Sequence, residues 1–331
     1  MAVRYSLDDA ISSFFDENTT ANPVQIQGSS SYTFTAGTHE SKLFQFRTYD
    51  SKIDMSIINL AKTAHPEFIA GCKYHGMIGQ SRPLHVYEMD RLAGTPYIIA
   101  RHASAVQTPG DVARQRNTAT DLAKFFAQSW NHAQCLPSDE TAALIVEFND
   151  KLDLLSRSLP SRFTPNLSRI RKELPLLFSK TLPFVLSHQD LCEMNILVHT
   201  ETGSITGIVD WAEARILPFG FSLWGFENIL GYMDSKGWHY YDNRHELERI
   251  FWNTFYMEAG NPSDDDLHLI QTARMAGLFC RYGLVLDGKS YKDVVDESDL
   301  SSFAYLDAFC TTDDWMPFTI TAKTANPVLG H

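Results

Sequence analysis

Residues 184–198 read FVLSHQDLCEMNILV, in which the apolar runs FVL and NILV flank a short polar stretch. The apolar runs have the composition of buried strands. The polar stretch between them contains His188, Asp190 and Glu193, and Asn195 begins the second run. Burying such groups costs free energy unless they are hydrogen-bonded or used. The pattern therefore predicts a loop with a chemical role between two strands.

A hairpin follows this loop directly. The segment ITGIVDW at residues 205–211 reads as another strand, and TETGS at residues 200–204 reads as the turn before it. Gly203 can take the positive φ that such a turn requires. Antiparallel pairing across the turn would bring Asn195, at the start of one arm, close to Asp210, at the end of the other.

The hairpin predicts a cluster of oxygen-bearing side chains. Asp190, Asn195 and Asp210 would lie together, with His188 nearby. Carboxylate and amide oxygens suit a hard divalent cation such as Mg²⁺. A carboxylate that stays off the metal could orient a hydroxyl group and accept its proton.

The composition limits the classes of protein that fit. A chain of 331 residues with 44% hydrophobic residues can form a packed interior and is long for a single core, which favours two lobes. The net charge of −12 argues against nucleic acid as the main partner. It is compatible with a neutral or cationic small molecule and mildly favours a cationic one.

The cysteines and the apolar runs indicate a soluble cytoplasmic protein. The five cysteines are widely spaced, without a CxxC pair, so neither a zinc site nor a disulfide framework is expected. The first residues, MAVRYSLDDAISSFFDEN, have no apolar core of a signal peptide. No apolar run approaches the roughly 18 residues that a membrane span needs.

The periodicity predicts an α+β chain with a small β-rich section up to about residue 93 and a mostly helical remainder. The β-rich section is predicted to hold a short helix over residues 5–16, strands within 23–48, a helix over 52–64 and a strand over 84–92. In the remainder, helices are predicted over 118–135, 139–157, 167–179, 222–233, 244–259 and 264–282. Pro175 is expected to interrupt one of these helices, and Ser263 is expected to cap another.

The polar loop carries a resemblance to a known family. The spacing His188-x-Asp190-x4-Asn195 is similar to the catalytic loop of the protein-kinase-like superfamily. The segment IVDW at residues 208–211 resembles the metal-binding strand of the aminoglycoside phosphotransferase and choline kinase branch, where protein kinases carry Asp-Phe-Gly instead. The run ILPFGFSLWGFENILG at residues 216–231 further resembles the fungal-type members.

The resemblance implies a bilobal protein-kinase-like fold, with a nucleotide lobe at residues 1–93 and a catalytic and acceptor-binding lobe at residues 94–331. It implies Mg²⁺-dependent transfer of the γ-phosphate of ATP to a hydroxyl of a small molecule. Asp190 would be the catalytic residue, and His188 a structural brace of the loop. Asn195 and Asp210 would hold Mg²⁺ on the ATP phosphates.

The resemblance also implies contacts with ATP in the first lobe. Arg47, in the segment QFR, would clamp the phosphates with its guanidinium group. The alternative is a surface arginine on an edge strand. The segment LHVYEMDRLAGTPY resembles the connector between the lobes, which would contact adenine at or near Glu88, Met89 and Arg91.

The first lobe departs from the family pattern at two places. The phosphate loop reads IQGSSSYTF and contains one glycine, Gly28, so Ser29 and Ser30 would meet the phosphates instead of a glycine-rich loop. The helix over residues 52–64 offers no glutamate as a partner for the strand cation, and Asp54 is the nearest acid.

The acceptor side gives weaker signals. Glu213, Trp224 and Glu227 follow the metal-binding strand and are the candidate acceptor contacts. Many members of the family carry an Asp-Leu pair in this region, so Ser222 or Glu227 would have to substitute for it. The sequence does not identify the acceptor.

Other interpretations of the polar loop stay open. The loop could be a buried, hydrogen-bonded turn without catalytic function. A hydrolase triad of Ser187, His188 and Asp190 is disfavoured, because neighbouring residues of an extended segment point to opposite faces. The scaffold could also have been repurposed for ligand binding or non-phosphoryl chemistry. Phosphorylation of proteins ranks last, since Asp-Phe-Gly and Ala-Pro-Glu segments are absent.

Overall fold

The computed structural model describes residues 14–15, 21–25, 27–28, 31–79, 83–101, 107–179, 181–287 and 290–311. Most of the helix predicted over residues 5–16, and both Ser29 and Ser30, lie outside these ranges. Within them the chain has a β-rich N-terminal part followed by a mostly helical part. The predicted α+β class is therefore confirmed.

The N-terminal part is built on a five-stranded antiparallel sheet. Its strands and one helix are β1 (Asn22–Pro23), β2 (Ser31–Ala36), β3 (Lys42–Thr48), α1 (Met55–Ala64), β4 (Cys72–Ile78) and β5 (Leu84–Asp90). The order β1-β2-β3-β5-β4 places β3 inside the sheet, paired on both sides. Alternating apolar residues of β2, β3 and β5, among them Phe34, Phe46 and Val86, form a small core on one face.

The helical part begins after a short connector. Its first elements are β6 (Thr95–Pro96), α2 (Tyr97–Ala100), α3 (Pro109–Asn131), α4 (Ser138–Ser158) and α5 (Thr164–Leu177). There follow β7 (Phe184–Ser187), β8 (Ile196–Val198), β9 (Ile205–Ile208), β10 (Arg215–Pro218), α6 (Trp224–Glu227), β11 (Gly231–Asp234) and β12 (Gly237–Tyr240). The last are α7 (Arg244–Glu258), α8 (Asp264–Gly283), β13 (Leu284–Asp287), β14 (Ser290–Val294) and α9 (Leu300–Cys310).

Two strand pairs embedded among the helices position the polar loop. The hairpin of β8 and β9 has the predicted register, with Ile196 opposite Ile208, and Gly203 in the turn has φ 74°. Strand β7 pairs with β10 instead of joining this hairpin. Residues 188–195 therefore connect two separate small sheets, and both ends of the loop are anchored.

Two helix predictions were wrong. Helix α5 continues through Pro175, because this proline lies in the last turn and the buried side chains of Leu174 and Leu177 hold the helix on the core. The predicted helix over residues 222–233 is only the short α6. The chain then extends into β11, where a Cβ on Gly231 would lie 2.2 Å from the carbonyl oxygen of His239 in the paired strand.

The capping and helix predictions elsewhere agree with the structure. Ser263 caps α8 through a capping box with Asp266. Asp54 caps α1 by accepting a hydrogen bond from the backbone N–H of Ser56 at 2.8 Å. None of the helices that the described residues form is long and apolar enough to cross a membrane. The boundary near residue 93 stays a prediction.

A buried histidine joins the two parts of the chain. His65, at the end of α1, stacks on Phe125 of α3 with ring centroids 4.1 Å apart, and Trp211 lies 5.7 Å away. Its Nδ1 donates to the Oε1 of Gln128 and its Nε2 accepts from Ser129, both at 3.2 Å. Burial lowers the pKa of His65 from 6.5 to about 4. The imidazole is therefore neutral in the folded chain at neutral pH.

The lowered pKa of His65 predicts that the folded chain loses stability in acid. Because the folded state binds the proton more weakly than the unfolded state, stability is complete above pH 6.5 and is lost as the pH falls towards about 4. The full effect on the free energy of unfolding is roughly 3 kcal/mol. Urea unfolding at several pH values should show a smaller loss in His65→Gln than in the wild type. The exposed His199→Gln serves as the control, and equal pH dependence in all three proteins would contradict the prediction.

Candidate active site

The hairpin brings Asn195 and Asp210 together, as its register requires. The backbone N–H of Val209 donates to the carbonyl oxygen of Asn195 at 3.0 Å, so the arms stay paired up to Asp210. Asp210 itself has φ 63° and ψ 64°, the left-handed conformation that aspartate tolerates better than most residues. The chain turns sharply there, and the next residue, Trp211, is buried and donates from Nε1 to the carbonyl oxygen of Ile208.

Asn195 is held by the residue that the sequence predicts to be catalytic. Its Nδ2 donates to the carbonyl oxygen of Asp190 at 2.7 Å and to the Oδ2 of the same residue at 2.9 Å. Both amide hydrogens are therefore directed at Asp190. The amide oxygen, Oδ1, takes no part in these two contacts and is of the donor type that suits a hard cation.

His188 ties the loop to the end of the hairpin. Its Nε2 donates to the carbonyl oxygen of Val209 at 2.9 Å, and its Nδ1 accepts from the backbone N–H of Asp190 at 3.2 Å. The ring meets Trp211 edge-on at 4.6 Å between centroids. Burial lowers the pKa of His188 and favours the neutral imidazole that these two contacts need. The geometry is that of a bracing residue.

The remaining acid of the loop, Glu193, has a separate partner. It is buried and forms an ion pair with Arg101. Burial raises the pKa of Glu193, and the arginine charge acts in the opposite direction. This pair links the loop to the end of α2, where Arg101 follows the helix.

Arg47 reaches the same site from the N-terminal sheet. It lies on the internal strand β3 and is only 6% exposed, so the alternative of a surface arginine on an edge strand is wrong. Its Nε donates to the carbonyl oxygen of Ser51 at 2.7 Å and its Nη1 to the Oε1 of Gln45 at 3.2 Å. Burial lowers the pKa of Arg47, and the charge of Asp210 acts in the opposite direction. Asp54 is occupied in capping α1 and does not pair with this arginine.

Arg47, Asp190 and Asp210 line one cavity of ≈ 120 Å³. Its lining residues are Gly28, Ser31, Arg47, Asp190, Asp210, Ala212 and Glu213. The lining combines one guanidinium with three carboxylates, which is a suitable donor set for a phosphate chain with a divalent cation. No group of three or more His, Cys, Asp or Glu side chains around one point was found in the described part of the chain.

The amide oxygen of Asn195 and the carboxylate of Asp210 fit one magnesium ion. Both are hard oxygen donors, and the hairpin fixes their relative positions. An ion held by one amide and one carboxylate keeps positions for phosphate oxygens and water. Mg²⁺ is commonly bound in this way in phosphoryl-transfer sites.

The residues predicted to form the connector, Glu88, Met89 and Arg91, already have contacts within the N-terminal part of the chain. Glu88 and Met89 lie inside β5, paired on one side with β3 and on the other with β4. The carboxylate of Glu88 binds His75 at 2.7 Å. The backbone N–H of Arg91 donates to Ser41, and its guanidinium binds Glu40 at 2.7 Å. A contact of these residues with adenine stays a prediction.

Arg281 is a site residue that the sequence analysis missed. It lies near the end of α8, and its Nη2 is 3.0 Å from the Oδ1 of Asp190. Its guanidinium also lies over the ring of Trp224, 4.8 Å from the centroid. The sequence around Arg281 gives no signal of this contact, because only long-range packing brings α8 to the loop. Asp190 is thus held between Asn195 on one oxygen and Arg281 on the other.

A second, larger cavity opens beside the first and includes two of the three predicted acceptor contacts. Glu213 and Trp224 line this cavity of ≈ 260 Å³. Glu227 does not, because it is 3% exposed and forms an ion pair with Arg274 of α8. Ser222 is buried beside the loop, with the Nε2 of Gln189 3.5 Å from its hydroxyl.

Comparison with known proteins identifies similar sequences and folds. The model of the phosphotransferase enzyme family, APH, matches residues 59–232. Among solved structures, a candidate aminoglycoside phosphotransferase from Ralstonia eutropha aligns with a TM-score of 0.53 at 13% identity, over 84% of this chain and 88% of its own. A macrolide 2′-phosphotransferase type I aligns with a TM-score of 0.52 at 14% identity, over 85% of this chain and 90% of its own. No curated protein matches.

The contacts of His188 predict that replacing this residue lowers the stability of the folded chain. His188→Ala removes two buried hydrogen bonds and the contact with Trp211, and it leaves the carbonyl oxygen of Val209 without this donor. We expect the free energy of unfolding to fall by about 2–4 kcal/mol. The exposed His199→Ala, on the same hairpin, should change it by less than about 0.5 kcal/mol. Chemical denaturation measures both, and similar values for the two variants would show that His188 does not brace the loop.

Proposed function

The chain belongs to the phosphotransferase enzyme family, and from this premise we propose that it transfers the γ-phosphate of ATP, bound with Mg²⁺, to a hydroxyl group of a small molecule. One observation carries the proposal. Asp190 and Asp210 line one cavity together with Arg47 from the N-terminal sheet, and Asn195 donates a hydrogen bond to the carboxylate of Asp190. Phosphoryl transfer depends on positioning and charge neutralisation more than on many catalytic groups.

Asp190 is the proposed base. Its carboxylate is fixed by Asn195 at one oxygen and by Arg281 at the other, so its orientation is set before a substrate binds. The acceptor hydroxyl donates to this carboxylate and gives up its proton as the oxygen bonds to the γ-phosphorus. The bond from the γ-phosphorus to the bridging oxygen breaks, and ADP leaves. The proton on Asp190 then passes to solvent.

Asn195, Asp210 and Arg47 are the proposed groups for the phosphates. Asn195 would bind Mg²⁺ through Oδ1 and Asp210 through its carboxylate. When bound, the ion neutralises charge on the phosphates. The guanidinium of Arg47 is positioned by Ser51 and Gln45 and would donate to phosphate oxygens from the nucleotide side. His188 would keep the loop and the end of the hairpin in register.

Further features of the nucleotide lobe belong to the same proposal. Ser29 and Ser30 would meet the phosphates after Gly28, and the connector near Glu88, Met89 and Arg91 would contact the base. The lobes would divide near residue 93, at the end of the five-stranded sheet. A cytoplasmic location likewise stays a prediction.

A second candidate function has one observation in its favour. In the described part of the chain, Arg47 is bound by a carbonyl oxygen and an amide and has no acid from α1. In the family pattern a glutamate would occupy that position, and its loss is compatible with a scaffold repurposed for ligand binding. The presence of Asp190, Asn195 and Asp210 together favours phosphoryl transfer.

Substituting the proposed base separates catalysis from binding. Asp190→Asn keeps the shape of the side chain but cannot accept the hydroxyl proton. We expect kcat to fall on the order of 10²–10⁴-fold while MgATP binding persists. Turnover is followed by ADP release with an acceptor that the wild type uses, and nucleotide binding by calorimetry. A variant that retains full turnover would rule out Asp190 as the base.

Substituting the proposed metal ligand tests the nucleotide site without an acceptor. ATP should raise the melting temperature of the wild type more with Mg²⁺ than without it, because a ligand that binds only the folded state stabilises it. Asp210→Asn should abolish the Mg²⁺-dependent part of this shift. Asp234→Asn, an exposed aspartate on β11, is the control and should leave it unchanged. If no nucleotide shifts the wild type, the repurposed scaffold becomes the better explanation.

A further inference from the structure

The larger cavity is placed to receive the acceptor. It shares Ala212 and Glu213 with the cavity that contains Asp190. Gln189, the neighbour of Asp190 in the chain, and Arg281, which contacts its carboxylate, both line the larger cavity. Its volume of ≈ 260 Å³ is slightly below the roughly 300–1,000 Å³ typical of small-molecule sites, so a small acceptor would fill it. A molecule in this cavity would have one end beside the proposed base.

The charges that line this cavity are mostly positive. Lys151, Arg215 and Arg281 contribute three cations, whereas Glu213 is the single acid among its described lining residues. The chain as a whole carries −12, so the local balance is opposite in sign to the overall balance. A site for a cationic amine would require carboxylates in the lining to replace the water around the ammonium group.

Two of these cations, Lys151 and Arg215, are held in place by one acid, Glu147. Arg215 binds Glu147 through two hydrogen bonds of 2.8 and 2.7 Å, and Lys151 binds the same carboxylate. Burial alone would raise the pKa of Glu147, but the hydrogen bonds from Arg215 and Lys151 outweigh burial and hold this pKa below its ordinary value. Two cations thus share one anion that does not line the cavity.

Aromatic rings lie beside Lys151 in this cavity. The Nζ of Lys151 lies 3.9 Å from the ring centroid of Tyr291 and 4.5 Å from that of Phe148. The side chain is only 6% exposed, so its ammonium group is fixed and largely removed from water. Trp224 and Phe221 add further aromatic rings to the lining of the cavity. A fixed, desolvated cation next to apolar rings is suited to an anion on an apolar body.

We propose that the acceptor is a hydroxylated molecule that carries an oxyanion, a carboxylate or a phosphate, on an apolar or aromatic body. Its hydroxyl lies at Asp190, its body contacts Trp224, and its oxyanion binds Lys151 and Arg215. This assignment rests on the proposed function and specifies the substrate class of the same site. It replaces the cationic acceptor that the overall net charge favoured, because charge within about a Debye length decides which group a cavity accepts.

A matched series of probes tests the proposal. The probes are para-(hydroxymethyl)benzoate, para-(hydroxymethyl)phenyl phosphate, para-(hydroxymethyl)benzamide and para-(hydroxymethyl)benzylamine, which differ in the charge opposite the hydroxyl. Each is titrated calorimetrically into the full chain, saturated with Mg²⁺ and a non-hydrolysable ATP analogue. One or both oxyanion probes should bind at least about tenfold more tightly than the amide and the amine. The stronger of the two identifies the oxyanion.

Two variants test whether Lys151 causes the preference for an oxyanion probe. Lys151→Met keeps the length of the side chain and should reduce the affinity for the preferred oxyanion probe by about tenfold, to near that of the amide. Lys124→Met, at an exposed lysine of α3, is the matched control and should retain the wild-type affinities. The wild-type series alone is decisive if Lys151→Met does not fold.

The outcomes separate this inference from the proposed function. Tighter binding of the amine, equal binding of all probes, or no binding of either oxyanion overturns the inference, whether or not ATP binds. A preference for an oxyanion that survives in Lys151→Met also overturns it. If the wild type prefers an oxyanion but no nucleotide binds, the proposed function fails and the oxyanion site stands.

Discussion

The site depends on one buried imidazole. His188 can donate to Val209 and accept from Asp190 only as a neutral ring with its proton on Nε2. The first hydrogen bond connects the loop after β7 to the end of β9, which belongs to a different sheet, and the second holds Asp190 within the loop. With them in place, Asp190 is near enough for Asn195 to bind it, and the hairpin brings Asp210 to the same point. The arrangement of Asp190, Asn195 and Asp210 therefore depends on a structural contact.

Around this centre the charges divide between two cavities. On the nucleotide side, Arg47 faces Asp210 in a lining that is rich in carboxylates and would be balanced by a metal ion. On the acceptor side the lining is rich in cations that are fixed by acids outside the cavity, such as Glu147. Arg281 stands at the junction and binds Asp190. In the proposed function, Asp190 is the base between the site for the ATP phosphates and the site for an anionic acceptor.

The sequence predicted those parts of the site that are local in the chain. The register of β8 and β9 follows from a short turn and alternating residues, so the proximity of Asn195 and Asp210 could be read from their spacing. Arg281 and Lys151 could not be recognised, since they lie on helices that tertiary packing alone brings to the loop. The helical periodicity of the sequence was also misleading after α6, because pairing with β12 makes the chain extended from Gly231. The close approach of His239 to Gly231 leaves no room for a Cβ there. For the acceptor, the net charge of the chain and the lining of the larger cavity favour opposite charges, because a sum over the chain carries no information about one cavity.

The proposed site can be tested by a structure of the protein with Mg²⁺ and a non-hydrolysable ATP analogue. We expect a metal ion on the phosphates at about 2.0–2.1 Å from the Oδ1 of Asn195 and from a carboxylate oxygen of Asp210. We expect the γ-phosphate to lie between Arg47 and Asp190, open towards the larger cavity. A nucleotide bound elsewhere, or a metal ion that contacts neither Asn195 nor Asp210, would rule out this site.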